Sequence, residues 1–277
     1  MADTLSLAGM NLHYFRYPLE TFFDSMERLN IANIELWGGY PHLDVNSVSV
    51  KEVGTIYKSI KRHGLNVICF TPEQCMYPIN LASKNEHIRK QSMEYFVKSM
   101  AIAAELNTDQ LLVTSGWGYF SEGRAEPWER CRQSLEFLVR QAERRGIHLL
   151  LEPLTSWESN VVTDLKALSA MLEQIRSPYL KGIIDTAPLA LSDDSIEDYM
   201  NVLGANLAHV HFVDGDMRCS SHLACGDGVY PLESYYKEFC RAGYQGYLTL
   251  ELTSQQYIKQ PEAALKRSIE TIKSWAV

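Results

Sequence analysis

Eight short apolar runs alternate along this chain with eight longer segments whose apolar residues recur at helical spacing. The short runs are Leu5–Leu12, Asn33–Trp37, Asn66–Phe70, Gln110–Thr114, His148–Glu152, Gly182–Asp185, Leu207–Val213 and Gly246–Leu252. Each is brief, rich in Val, Ile and Leu, and bounded by Gly, Pro or polar residues, as buried parallel strands are. The intervening segments predict helices over Pro18–Asn30, Val48–His63, Lys84–Leu106, Pro127–Arg145, Thr163–Ile175, Ser195–Leu203, Leu232–Arg241 and Pro261–Trp275. In the first of them Leu19, Phe22, Phe23, Met26 and Leu29 fall on one face. Thr163 and Ser195 stand where helix caps are expected, with Asp198 three residues after Ser195, and Gly64, Gly146 and Gly243 follow helix ends. Strict alternation of this kind implies a parallel sheet. Eight units in 277 residues, with no linker or low-complexity break, predict a single closed (β/α)8 barrel over residues 1–277. An open doubly wound sheet is the other solution. It would carry a glycine-rich turn after the first strand, and Gly9 stands there alone.

Four of the runs end on groups that are expensive to bury. Glu152 closes HLLLE, Asp185 closes KGIID, His211 falls near the end of LAHVHFVD, and Glu251 falls near the end of YLTLEL. An unpaired buried charge costs several kcal/mol, so such residues need a strong partner. Active sites of barrels sit at the C-terminal strand ends. Residues two apart share a strand face, which pairs Leu150 with Glu152, Ile183 with Asp185, His209 with His211 and Thr249 with Glu251. If these faces point inward, Glu152, Asp185, His211 and Glu251 converge on one divalent-metal site.

Composition excludes other classes. Hydrophobic residues make up 46% and charged residues 22% of the chain, as in ordinary globular proteins. The net charge of −8 argues against a nucleic-acid surface. No apolar run approaches the roughly 18 residues of a membrane span, and MADTLSLAGMNLHYF lacks the pattern of a signal peptide. The 6 cysteines have no repeated spacing and read as free thiols of a reducing, cytoplasmic compartment. Cys219, His222 and Cys225 lack the fourth ligand of a zinc site.

Several stretches resemble a known family. They are IELWGGYPH (Ile34–His42), TPEQCMYPIN (Thr71–Asn80), LLLEPLTSWESNVV (Leu149–Val162), IDTAP (Ile184–Pro188), HVHFVDGD (His209–Asp216) and HLACGDG (His222–Gly228). On these the chain resembles the sugar isomerase/epimerase superfamily with its xylose-isomerase-like TIM barrel. Within it the likeness is to the ketose 3-epimerases, the fructoselysine 3-epimerase branch above all. The resemblance implies one divalent ion (manganese, cobalt, iron or magnesium) held by Glu152, Asp185, His211 and Glu251. It implies a small-molecule partner, a sugar or glycated amino acid, with no nucleic-acid or membrane partner, and a homodimer or homotetramer. It also implies that Glu152 and Glu251 double as acid and base. Inverting a carbon beside a carbonyl requires a proton to leave one face and return to the other, through a metal-stabilised enediolate.

Further residues follow from the same stretches. Glu158 and Arg218 match positions that bind substrate in related epimerases, and His222, Trp37 and Tyr77 are expected near the substrate. Glu35 and Trp37 lie at the end of the second strand. Glu73 is expected to shape the pocket, and Trp117 and Trp157 offer aromatic faces at the mouth. His209 reads as a satisfied core histidine. Asp214 either orients His211 or caps the following loop. Free-ketose 3-epimerases carry a histidine soon after the sixth-strand aspartate, where this chain has Pro188. Losing that contact suits a substrate substituted at its first carbon, such as fructoselysine. Free-ketose 3-epimerisation of the tagatose or psicose type, aldose–ketose isomerisation of the hydroxypyruvate type, and a sugar-binding barrel without catalysis remain as alternatives. Abasic-site nucleases share the barrel but need histidines at the third and fourth strand ends, which here read CFTPE and VTSGWG.

Overall fold

The computed structural model describes residues 5–217 and 222–275. Eight parallel strands close into a barrel in sequence order. They are β1 (Ser6–Met10), β2 (Asn33–Gly38), β3 (Asn66–Pro72), β4 (Gln110–Thr114), β5 (His148–Glu152), β6 (Leu180–Asp185), β7 (Leu207–His211) and β8 (Tyr247–Leu250). β1 pairs with both β2 and β8, which completes the ring. Closure leaves no sheet edge, and so decides against the open sheet.

The crossover helices are α1 (Leu19–Arg28), α2 (Val50–Arg62), α3 (Glu86–Glu105), α4 (Ala125–Glu143), α5 (Leu165–Ile175), α7 (Ile196–Leu203), α8 (Leu232–Arg241) and α9 (Pro261–Trp275), with a short α6 (Thr186–Ala190) between β6 and α7. Among the described residues no helix is long and apolar enough to cross a membrane. Caps set several helix starts. Ser195 and Asp198 form a reciprocal capping box at α7. α5 is capped by Asp164, whose carboxylate accepts from the Ala167 N–H at 2.7 Å, and not by Thr163. Asp is the stronger acceptor of the two neighbours, so the helix begins two residues later than its sequence predicts.

Two cores result. The larger lies between strands and helices, where Phe22, Phe23 and Met26 of α1 are fully buried. The smaller fills the barrel itself with Cys69, Leu112, Leu150 and Ile183, against which Ile68 and Ala208 pack. Leu150 and Ile183 therefore point inward, and Glu152 and Asp185, two residues on, point inward above them. Both Ile68 and Ala208 sit at register slips. Ile34 pairs with Val67 but Glu35 with Cys69, and Gly182 pairs with Leu207 but Ile183 with His209. Each slip inserts one residue into a strand and re-aims the side chains beyond it. Glu35 and His209, one on each side of the barrel, stand just past these slips.

Candidate active site

The four strand-end residues meet at the C-terminal mouth. Glu152, Asp185 and His211 are the last residues of β5, β6 and β7, and Glu251 follows β8 directly. One donor atom from each lies within 4.8 Å of every other. His211 Nδ1 is 2.7 Å from Glu152 Oε1 and 3.1 Å from Glu251 Oε2. Despite this proximity, His211 Nδ1 and Glu152 Oε1 have no hydrogen-bond partner, although both are buried. Unmet buried polar atoms are rare and costly. Here they face a common point ringed by three carboxylates and one imidazole, which fits a divalent cation of the manganese, cobalt, iron or magnesium kind.

The protonation pattern agrees. Burial pushes the Glu152 carboxyl up to about 7, against the lowering pull of His211. Burial also opposes charge on Glu251, but His211 and His222 beside it bring its carboxyl down to about 2. Burial disfavours charge on His211, yet Glu251, Glu35 and Glu152 around it hold its imidazole well above the ordinary value. Protons thus offset the negative charge of the site, and a cation entering it would displace them.

Beneath this quartet lies a residue whose part strand position alone did not reveal. Glu35, in the middle of β2, has no solvent exposure. Its Oε2 accepts from His209 Nε2 at 2.6 Å, and its two oxygens lie 3.1 and 3.2 Å from His211 Nε2. The Thr71 hydroxyl donates to its Oε1. Burial would raise the Glu35 carboxyl, but His211 and His209 outweigh it and hold it well below the usual carboxylate range. A carboxylate at Nε2 keeps the proton there and turns Nδ1 of His211 toward the quartet. Glu35, His209 and His211 also form a compact trio of potential ligands. The 2.6 Å contact is a hydrogen bond in geometry, however, and two ligands of one tetrahedral ion stand about 3.3 Å apart for bonds of about 2.0 Å. The trio is a hydrogen-bond network. His209 is buried as predicted for a core histidine, but only half satisfied, since its Nδ1 has no partner.

His222 joins the site from the β7–α8 loop. Its Nε2 is 3.3 Å from Asp185 Oδ2 and its Nδ1 is 3.0 Å from Glu251 Oε2. Burial resists its charge, but Asp185 and Glu251 raise its imidazole well above the usual value. Asp214 builds the loop that carries it. The Asp214 carboxylate accepts from the backbone N–H groups of Gly215, Gly226, Gly228 and Tyr230, and its backbone pairs with Leu223. Asp214 therefore caps the loop and does not touch His211. A Cβ at Gly228 would lie 2.3 Å from Asp214 Oδ1, so only glycine fits there. Asp185 is anchored too: its Oδ1 accepts from the Ala187 N–H at 2.8 Å and starts α6, an element too short to show periodicity in the sequence. α6 carries Pro188 to the cavity wall.

A cavity of about 1120 Å³ opens from the quartet. Trp37, Glu73, Glu158 and His222 line it. The Trp37 indole N–H donates to Glu73 at 2.9 Å, and Glu158 accepts from the Thr155 hydroxyl at 2.6 Å. Tyr77 is not in the wall. Its hydroxyl instead accepts from the Tyr40 backbone N–H at 2.9 Å, so it supports the loop after β2 from behind. Trp117 and Trp157 also lie outside the lining, on loops turned to solvent. Arg218 lies outside the described residues, as does Cys219.

The chain belongs to the xylose isomerase-like TIM barrel family, which it matches over residues 23–275. It is similar to a fructoselysine 3-epimerase of Escherichia coli O157:H7, 29% identical over 262 residues and covering 94% of each chain. A D-psicose 3-epimerase of Agrobacterium fabrum is 23% identical over 180 residues, 63% of this chain and 61% of that one. Among solved structures, a 3-keto-D-glucoside 4-epimerase from E. coli superposes with a TM-score of 0.81 at 17% identity, covering 98% of this chain and 99% of the other. That likeness is one of fold. The relatives and neighbours are epimerases and isomerases, and the chain is consistent with an enzyme of the isomerase class.

Proposed function

We propose that the protein is a divalent-metal-dependent epimerase that inverts carbon 3 of a ketose or ketosamine, with fructoselysine and psicoselysine as the reacting pair. The observation that carries this reading is the pair Glu152 and Glu251. They approach one cavity from strands β5 and β8, with carboxylate oxygens 2.7 and 3.1 Å from the shared His211 Nδ1. Two carboxyl groups reaching one bound carbon are what an acid and a base working on its two faces require. Glu152, Asp185, His211 and Glu251 would hold the ion, which when bound polarises the substrate carbonyl and stabilises developing negative charge. One glutamate takes the carbon-3 proton, and the other, protonated, returns one to the opposite face. Glu158, Trp37 and His222 line the space that the rest of the sugar would fill.

The fructoselysine relative, matched over 94% of both chains, favours a ketosamine substrate. Pro188 in the wall supports it, since a ring without a donor leaves room beside carbon 1 for a substituent.

The test is turnover of metal-loaded protein in deuterated water, with fructoselysine and, separately, fructose, tagatose and psicose. Deuterium at carbon 3 of fructoselysine with psicoselysine formed is the expected result. Glu152→Gln and Glu251→Gln should each lower the rate by about 10²–10⁴-fold. Exchange at carbon 1 with an aldose product would make the enzyme an aldose–ketose isomerase instead. Exchange at carbon 3 of the free sugars alone would remove the ketosamine assignment.

A further inference from the structure

The cavity exceeds what the reaction at the quartet needs. Pockets of roughly 300–1,000 Å³ already enclose a drug-sized ligand, and this one is about 1120 Å³. Glu152, Asp185 and His211 are buried and Glu251 is half-buried, whereas Arg16, Glu20, Tyr40, Pro41, Cys75 and Met76, from the segment before α1, α1 itself and the loops after β2 and β3, stand exposed on the outer wall. Two features mark that outer wall. The first is apolar surface left in water: Tyr40 is 76% and Met76 71% exposed, on the same cavity. Grouped exposed apolar side chains at a cleft mark a binding surface. The second is charge. Six carboxylates line the cavity, those of Glu20, Glu73, Glu152, Glu158, Asp185 and Glu251, but among the described residues Arg16 is the one Lys or Arg that does. The Arg16 guanidinium rests 4.7 Å over the Phe15 ring and makes no ion pair among the described residues. Glu20, one turn further on, likewise has no hydrogen bond or ion pair there. The two are not paired with each other, although both face the same space.

An unpaired guanidinium and an unpaired carboxylate beside an apolar wall match the two charged ends and the methylene stem of an amino acid. We infer that the outer cavity is an amino-acid subsite, in which Arg16 receives the α-carboxylate and Glu20 the α-ammonium of a lysine-type substituent whose methylene chain lies along Tyr40 and Met76. This rests on the proposed reaction at a ketosamine and names what recognises its non-sugar half. The surplus of carboxylates disfavours a phosphate in the same place and suits a substrate whose linking amine is cationic. Arg16 and Glu20 are specificity residues, remote from the proton transfer.

The experiment compares fructoselysine with the fructose adduct of pentylamine, which keeps the linking amine and stem but lacks both α groups. Arg16→Ala and Glu20→Gln are each expected to raise KM for fructoselysine on the order of 10–100-fold, as loss of a charged hydrogen bond does. They should leave its kcat within about twofold and close most of the KM gap between the two substrates, whereas Arg16→Lys retains part of the preference. Both residues are exposed, so the variants should keep the wild-type circular dichroism spectrum. Calorimetric binding of fructoselysine is read in parallel. A wild type that handles both substrates with equal KM, or variants that leave the gap intact, would overturn the subsite while carbon-3 exchange upholds the reaction. Arg16-dependent binding of fructoselysine without carbon-3 exchange would uphold the subsite and overturn the reaction.

Discussion

Glu35 acts on the metal quartet through one imidazole. Its carboxylate is the only buried acceptor that the described residues offer to His211 Nε2, so it decides which ring nitrogen carries the proton. Replacing it with glutamine keeps the shape but removes the negative charge, and leaves His209 and His211 to share one weaker acceptor. Outer hydrogen-bond partners of this kind are typically worth 10–100-fold in metal affinity. Glu35→Gln should therefore weaken manganese binding by roughly that factor in calorimetry, and unchanged affinity would remove Glu35 from the metal's support. At this scale the convergence of the four strand-end residues was readable in the sequence, because each stands at the end of an apolar run where a charge is conspicuous. Glu35 was not readable, because its partner His209 lies 174 residues away and meets it only across the closed barrel.

Among the elements, the described part of the loop between β7 and α8 brings His222 to a site otherwise built from strand ends. One carboxylate, that of Asp214, gathers four backbone N–H groups and so holds the turn that brings His222 against Asp185 and Glu251. Asp214→Ala leaves those donors unmet, and each unmet buried donor costs about 1–3 kcal/mol. After relaxation and water entry, we expect a loss of about 2–4 kcal/mol in urea unfolding, within the range of a broken buried network. A loss under about 1 kcal/mol would show that the loop is held by other contacts. The eight strands and their crossovers follow from local periodicity, and each predicted limit falls within two residues of the observed one. The register slips at Ile34/Glu35 and Gly182/Ile183 do not follow, since a bulge is a relation between two strands and leaves no mark in either. Helix α6 was missed for the same reason: five residues, started by the Asp185 carboxylate, hold no periodic signal.

For the whole molecule, a metal held by the quartet would couple binding to folding. An ion that binds only the folded barrel stabilises it by about 2.7 kcal/mol at 100 times its Kd. Manganese should therefore raise Tm, and a chelator should reverse the rise. The coupling carries a pH sign. With the Glu152 carboxyl raised to about 7 and His211 held protonated, the metal-free site binds protons that the ion must expel. Metal affinity, and with it the Tm gain, should shrink as pH falls through about 7 toward 6, and grow toward 8. An equal gain at both pH values would show that metal binding releases no proton there.

The chain's own pattern settled the alternation of eight strands and helices, the parallel barrel that alternation demands, and the four strand-end residues that converge at its mouth, because periodicity and an uncompensated charge are local properties. Closure of the ring decided the rest. It placed Glu35 beneath His211, turned His222 into the quartet, kept Tyr77, Trp117 and Trp157 out of the cavity wall, and set Arg16 and Glu20 facing the same space. Those relations join residues from different strands and loops. Their energies depend on distance and burial in three dimensions, which no spacing along a single chain encodes.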